Sequence, residues 1–229
     1  MLDLYIGNKN YSSWSLRVWL VAKVFEIPFQ EHWIAFDDFK ACSPFKQKIS
    51  EVHAAAKVPV LTDGEVSIGD SFAICEYLAE LYPEKQLWPE NRMARARARS
   101  ISAEMHSGFM GIRSACPMNI EADLSVVGRD LCQLDPRLNA DLARIQAIWA
   151  ERPMQDGFLC GADFSIADAF YAPVILRLVG YGLAIDAVNR AYVQRILGLP
   201  ALQQWIAEAK QEHCFVAIDE PYRKAPLEE

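Results

Sequence analysis

The stretch Val58-Pro59-Val60-Leu61-Thr62-Asp63-Gly64-Glu65-Val66-Ser67-Ile68-Gly69-Asp70-Ser71 holds a strand, a tight hairpin, a second strand and the opening of a helix. Apolar, β-branched positions flank Asp63-Gly64, which marks that dipeptide as a two-residue turn with positive φ at both positions. Ala73, Ile74, Tyr77, Leu78 and Leu81 recur at helical spacing, so Asp70-Ser71 lies at the N-terminus of the helix that follows. Free N–H groups beside a short hydroxyl suit a carboxylate. The pattern predicts a site for a small anionic molecule.

Upstream, Leu2, Leu4 and Ile6 alternate with Asp3 and Tyr5 until Gly7, which predicts a first strand. Residues 14–25 are apolar almost all round (Leu16, Val18, Trp19, Leu20, Val21, Val24), as in a helix buried on more than one side. A second strand is expected over 31–36, then a loop with a short helix near Pro44 over 39–56. The resulting order, β-α-β-α-β-β-α over residues 1–82, implies an α/β unit: a mixed sheet with helices on both faces. A proline-bearing polar link, 83–91, is expected to separate it from an all-helical unit, 92–229. There the periodicity predicts helices over 92–116, 139–151, 165–179, 190–197 and 200–212. Ser165 with Asp168 three residues on is a capping box with a shortened acid, a folding feature. The alternation of Arg92, Arg95, Arg97 and Arg99 with alanine spreads those charges around a helix and builds no basic patch. Leu227-Glu228-Glu229 reads as a frayed acidic tail.

Composition narrows the class. The chain has 229 residues, 52 % of them hydrophobic, enough for sizeable cores. A net charge of −7 argues against nucleic acid as the main partner. No basic-then-apolar leader opens the chain, and no apolar run reaches the ~18 residues of a membrane span. The six cysteines (Cys42, Cys75, Cys116, Cys132, Cys160, Cys214) are scattered without paired spacing. They are expected to be reduced, buried thiols of a cytoplasmic protein, with no disulfide or metal framework.

The hairpin and helix start resemble those of the glutathione S-transferases, whose N-terminal thioredoxin-like domain carries a Val-Pro strand, a hairpin and an acid/amide-Ser helix start. Tyr11-Ser12-Ser13-Trp14-Ser15-Leu16-Arg17-Val18 is similar to the Ser-Ser-x-Ser-x-Arg-Val segment of zeta-class members. Glu104-Met105-His106-Ser107-Gly108-Phe109 resembles a Glu-Leu-His-x-x-Phe segment of bacterial beta-class members. Phe164-Ser165-Ile166-Ala167-Asp168 resembles the family's buried Ser/Thr-x-x-Asp cap. Together these motifs cover residues 1–205. The resemblance implies a homodimer with a thioredoxin-like domain, an all-helical domain, and glutathione as co-substrate.

Position alone makes Ser12 and Ser13 the cap of the helix that begins near Trp14. The resemblance implies that Ser12, with Ser13 next in line, donates a hydrogen bond to the glutathione thiolate. Ionising a thiol of pKa ~8.5 at neutral pH needs a shift of ~2 units, or ~2.7 kcal/mol. One charge-assisted hydrogen bond (~1.5–3 kcal/mol) with the helix end (~0.3–1 kcal/mol) supplies about that much. The resemblance further implies that Pro59 is cis and that Val58 pairs its main chain with the cysteinyl residue. Ser71 would take the γ-glutamyl carboxylate, and Asp70, shorter than the family's usual Glu or Gln, its ammonium. Lys57 stands where members carry a polar glutathione contact, though a solvated lysine fits equally. Met105, His106 and Phe109 are expected to wall the second-substrate pocket. Glu104 is expected to reach the partner subunit's glutathione. His106 and Glu104 match a class other than that of the serine segment, and a satisfied core or surface histidine is the alternative for His106. Neither Tyr5 nor Tyr11 matches the tyrosine that replaces the serine in other classes.

The implied reaction is attack of a glutathione thiolate on a small hydrophobic electrophile. Two alternatives stand beside it: a glutathione-dependent cis/trans isomerase of the maleylacetoacetate type, and a non-catalytic binding or scaffold member. A hydrolase elbow at Gly69-Asp70-Ser71-Phe72-Ala73 is disfavoured because only His106 and His213 follow it and the strands such a sheet needs are missing after Ser71. A thiol-disulfide oxidoreductase is disfavoured because Ser12-Ser13-Trp14-Ser15 fills the place of any Cys-x-x-Cys.

Overall fold

The computed structural model describes residues 1–225, so the 227–229 tail lies outside it. Four strands form one sheet in the order β2-β1-β3-β4. They are β1 (Leu2–Ile6), β2 (Phe29–Trp33), β3 (Val60–Asp63) and β4 (Val66–Ile68). β1 runs parallel to β2, and the other two pairings are antiparallel. With α1 (Ser13–Val24), α2 (Pro44–Ser50) and α3 (Ser71–Leu81) interleaved, the expected β-α-β-α-β-β-α order is the observed one. β2 begins and ends earlier than its periodicity suggested.

The hairpin differs in one detail. Asp63 pairs with Val66, so the two turn residues are Gly64 and Glu65, and of these only Gly64 (φ 58°) has positive φ. A two-residue turn with glycine first needs a single left-handed residue. Asp63 instead accepts a hydrogen bond from the Tyr77 hydroxyl at 2.9 Å, tying the hairpin to α3.

Alternation in β1 buries Leu2, Leu4 and Ile6 beneath α1 and α3, within the main core. A smaller core on the opposite face joins Ile34, Phe45, Ile49 and Val60 beneath α2. Helix α1 is apolar all round because two layers cover it: Leu16, Val18, Trp19, Leu20 and Val21 each have 0 % exposure. Each such side chain contributes roughly 1.5–3 kcal/mol on burial.

Beyond a 3₁₀ turn at Pro83–Lys85, the described residues are helical: α4 (Arg92–Ser107), α5 (Met110–Ala115), α6 (Ser125–Leu134), α7 (Pro136–Ala150), α8 (Ile166–Gly180), α9 (Arg190–Leu197) and α10 (Pro200–Gln211). Two expectations are corrected. The single helix expected over 92–116 is broken at Gly108-Phe109, where Phe109 takes a left-handed conformation (φ 59°) and opens α5. Helix α6, whose buried contact is narrow, was not foreseen, and α7 begins three residues early because Asp135 caps it. The arginines of α4 do spread: Arg97 donates to the Ile148 carbonyl at 2.9 Å, whereas Arg99 pairs with Glu76.

Helix α8 is the pillar of the second unit, buried from Ile166 through Leu178 and packed on α1 and α4. Asp168, at 0 % exposure, accepts from the N–H groups of Leu159 and Ser165 at 2.9 Å and from the hydroxyls of Ser165 (3.0 Å) and Tyr192 (3.2 Å). It joins the helix start, the loop before it and α9 in one buried network. Asp168→Ala leaves several buried donors unpaired and is expected to lower unfolding free energy by at least ~3 kcal/mol, read as a shifted urea midpoint at unchanged m-value.

Candidate active site

The loop between β1 and α1 carries the expected serines and is fixed from the far end of the chain. The side chain of Glu212 accepts from the Lys9 N–H at 2.7 Å and from the Asn8 side chain at 3.2 Å, and Trp205 Nε1 donates to the Lys9 carbonyl at 2.9 Å. Lys9 pairs with Glu31 and Glu208. Asn10 Oδ1 accepts from the N–H of Ile120 (2.7 Å) and Glu121 (2.9 Å). The α1 N-terminus therefore sits at a junction of three segments.

Ser12 is the N-cap of α1, as position alone predicted: its Oγ accepts from the Ser15 N–H at 3.3 Å and donates to Ser15 Oγ at 2.7 Å. Ser13 Oγ accepts from Arg177 Nη2 at 3.2 Å, which leaves its own proton available to the cleft. Both serines, with Tyr11, Val58, His106 and Arg177, line a cleft of about 430 Å³ between the sheet unit and the helices. Lys57, Val58, Pro59, Asp70 and Ser71 line an adjoining cavity of about 360 Å³. Trp14 and Val58 border both, so the two form one continuous site. The Val58-Pro59 peptide bond is cis.

At the second cavity, Asp70 caps α3, with Oδ1 accepting from the N–H groups of Phe72 (2.9 Å) and Ala73 (3.0 Å). Its Oδ2 lies 3.3 Å from His106 Nε2. Ser71 Oγ is buried without a hydrogen-bond partner among the described residues, an arrangement costly unless something polar meets it. Lys57 is exposed at the rim.

The helical wall is not the one expected. Met105 and Phe109 point into the main core, at 1 % and 8 % exposure, and His106, Met110 and Arg113 face the cleft instead. The break at Gly108-Phe109 turns α5 so that Met110 and Arg113 follow His106 around the rim. Glu104 is engaged within the chain, its carboxylate bound by Arg144 at 2.7 and 2.9 Å. Burial holds the His106 imidazole below its usual pKa, with Arg17 and Arg113 reinforcing the shift against Asp70, so the ring is neutral at pH 7.

Three guanidinium groups back the serines. Arg17, 1 % exposed, is sandwiched between the Trp14 ring (4.3 Å) and the Phe170 ring (4.7 Å), with Nε and Nη1 unpaired among the described residues. Arg113, on the cleft lining, stacks on the same Trp14 ring at 4.8 Å. Arg177 donates through Nε to the Cys116 carbonyl at 2.9 Å. Burial and mutual repulsion lower the pKa of Arg17 and Arg177, yet a guanidinium starts high enough to stay charged. In an acidic protein this corner is electropositive and favours an anion. Sequence reading quoted Arg17 only within a motif and passed over Arg177. A lone arginine inside the apolar run 172–179 was the available signal.

The last segment was also missed. After α10 the chain turns at His213 (φ 45°) and crosses the cleft. The Tyr11 hydroxyl donates to Glu220 Oε1 (2.7 Å) and lies 2.8 Å from the Cys214 carbonyl, and Tyr222 donates to the Ala115 carbonyl at 2.7 Å. Tyr11 is thereby a strap anchor, and desolvation and Glu220 raise its pKa. Among the described residues no helix is long and apolar enough to cross a membrane, and no cluster of metal-binding groups appears. The cysteines are all free thiols; Cys42 is exposed, contrary to expectation, while Cys75, Cys116 and Cys160 are buried.

Comparison with known proteins agrees with this architecture. Residues 11–81 match the profile of the glutathione S-transferase N-terminal domain and residues 120–208 that of the C-terminal domain. The chain is 28 % identical over 167 residues to glutathione S-transferase omega-2 of Mus musculus, covering 72 % of this chain and 60 % of that one. It is 33 % identical over 112 residues to a probable maleylacetoacetate isomerase of Caenorhabditis elegans, covering 48 % and 49 %. The matches thus span about half to three-fifths of these two relatives. A crystal structure of a glutathione transferase homologue from Burkholderia, with bound glutathione, superposes with a TM-score of 0.65 at 24 % identity, covering 92 % of this chain and 98 % of that one. The chain belongs to the glutathione S-transferase family.

Proposed function

We propose that this protein is a glutathione transferase in which the two cavities hold one glutathione molecule and a small electrophile. The observation that carries the reading is the continuity of the site: Trp14 and Val58 border both the cleft of Ser12 and Ser13 and the cavity of Asp70 and Ser71. The second cavity suits the γ-glutamyl end, with the unpartnered Ser71 hydroxyl and the α3 N-terminus facing its carboxylate. Asp70 Oδ2, its other oxygen engaged in capping, is available to the ammonium. The main chain of Val58 meets the cysteinyl residue as an added strand would, and the thiol then lies toward Ser12.

Moving the Ser12 proton from Ser15 Oγ to a thiolate exchanges a neutral hydrogen bond (~1 kcal/mol) for a charge-assisted one (~1.5–3 kcal/mol), so the exchange is favourable. Arg17, Arg113 and Arg177 add a positive field, and Arg177 polarises Ser13 as the next donor. The second substrate lies against His106, Met110 and Arg113. The reading includes a homodimer and a cytoplasmic setting. Glutathione-dependent cis/trans isomerisation is the second reading, favoured by the probable maleylacetoacetate isomerase among the relatives.

Ser12→Ala is expected to raise the bound thiol's pKa by about 1–2 units and to slow conjugation at neutral pH by ~10–100-fold. Thiolate absorbance titration reads it, and an unchanged curve transfers the role to Ser13. Ser71→Ala is expected to weaken glutathione binding roughly tenfold or more by calorimetry while the thiol pKa stays in place. Turnover of an aryl halide supports transfer, and interconversion of a cis-enedione acid with no net product supports isomerisation. A wild-type protein that takes up no glutathione overturns both.

A further inference from the structure

The strap that crosses the cleft brings two adjacent carboxyls with opposite surroundings. Glu220, 4 % exposed, is saturated: it accepts from the Tyr11 hydroxyl at 2.7 Å, from Asn119 Nδ2 at 2.9 Å and from Arg223 Nε at 2.8 Å. Arg223 is bound in turn by Glu121. Asp219, at the end of the 3₁₀ turn Ala217–Asp219, lines the same cleft as Ser12 and Ser13, and its Oδ2 is buried without a hydrogen-bond partner among the described residues. A buried, unpaired carboxyl oxygen costs free energy that the Glu220 network must offset. The fold thus spends stability to hold an uncommitted acid at the cleft that Ser12 and Ser13 also line.

The groups around that acid leave proton transfer to it. Across the cleft, His106 on α4 turns its Nε2 to Asp70 at 3.3 Å, and Arg113 on α5 and Arg177 on α8 donate to carbonyls and to Ser13. Tyr11 at the start of α1 is committed to Glu220 and has its pKa raised, so it is not a base at neutral pH. Burial first, and then the charge of Glu220, push the Asp219 carboxyl up to about 6. That value is near the range in which a carboxylate both accepts and returns a proton at neutral pH.

Resting on the glutathione reading, we propose that Asp219 is the proton carrier of the cleft, taking the thiol proton of glutathione and returning it to carbon after the sulfur has added to an activated double bond. The S–H bond breaks, its electron pair stays on sulfur, and the proton goes to the Asp219 carboxylate. Sulfur then forms the C–S bond at the β-carbon of an α,β-unsaturated carbonyl, and the π pair moves to the α-carbon and carbonyl oxygen. The Asp219 O–H bond breaks, the α-carbon takes the proton, and the carboxylate is restored. One negative charge occupies the cleft throughout, so no step builds up a second one. Displacement of an aryl halide needs no returned proton. The cleft is therefore specialised for net addition to unsaturated carbonyls.

The test compares wild type, Asp219→Asn and Asp219→Glu, using glutathione with benzylideneacetone (addition) and with chlorodinitrobenzene (displacement). In Asp219→Asn, addition, which loses both proton steps, is expected to fall ~100-fold, and displacement, which loses only the uptake of the thiol proton, about tenfold, while glutathione affinity by calorimetry is unchanged. Wild-type addition is expected to rise with pH through about 6, because the carboxylate form is the one that accepts the thiol proton. In Asp219→Asn the titration of the thiol itself, read by its absorbance, is left to shape the profile, and Asp219→Glu restores the wild-type limb. The assignment is overturned by unaltered addition in Asp219→Asn, by equal losses on both substrates, or by a wild type that displaces halide but adds nothing to the enone. If wild type takes up no glutathione, the underlying reading fails and the proposal with it; uptake with normal Asp219→Asn kinetics overturns Asp219 alone.

Discussion

The site depends on the immobilisation of one short loop. Residues 8–13 join β1 to α1 and take no part in the sheet ladder. Instead Glu212 gathers the Asn8 side chain and the Lys9 N–H, Trp205 holds the Lys9 carbonyl, Asn10 ties to α5's following segment, and Arg177 grips Ser13. These partners come from α8, from α10 and its C-cap Glu212, and from residues 120–121. A serine hydroxyl can serve a thiolate only if its position is set to within a few tenths of an ångström. Here the helical unit sets that position, and the sheet unit provides the chain that is held.

Charge is distributed in the same spirit. The protein carries a net charge of −7, yet the ground behind Ser12 and Ser13 holds three guanidinium groups. Desolvation works against each of them, and they persist because arginine resists deprotonation and because aromatic faces lie against two of them. A buried positive field is screened far less than a surface patch. Bulk charge and local potential are thus independent, and only the latter bears on an anion in the cleft.

Much of the architecture was legible along the chain because it is written in local periodicity. The alternation of Leu2, Leu4 and Ile6, the all-round apolar α1, the hairpin and the Ser165–Asp168 cap are each decided by residues within a turn or two. The departures have equally local causes. The hairpin turn moved one residue on because Asp63 is held by Tyr77 and Gly64 alone supplies the left-handed position. Residues 92–116 look continuous to a periodicity argument, yet Gly108 allowed a break at which Phe109 could turn inward. That break exchanged Met105 and Phe109 for Met110 and Arg113 at the cleft wall. Helix α6 escaped notice since little of it is buried and its apolar stripe is short.

By itself the sequence determined the element order, the two-part division into a mixed sheet and helices, the helix starts at Ser12, Asp70 and Ser165, and the motif identity of the serines. These follow from backbone preferences and from which faces must leave water, both properties of neighbouring residues. Tertiary structure alone decided that Arg17, Arg113 and Arg177 gather around one loop, that His106 faces Asp70, and that residues 213–225 return across the cleft with Asp219 Oδ2 unpaired among the described residues. Such encounters join positions as far apart as Tyr11 and Glu220. They depend on how whole elements pack, and no short-range pattern encodes that.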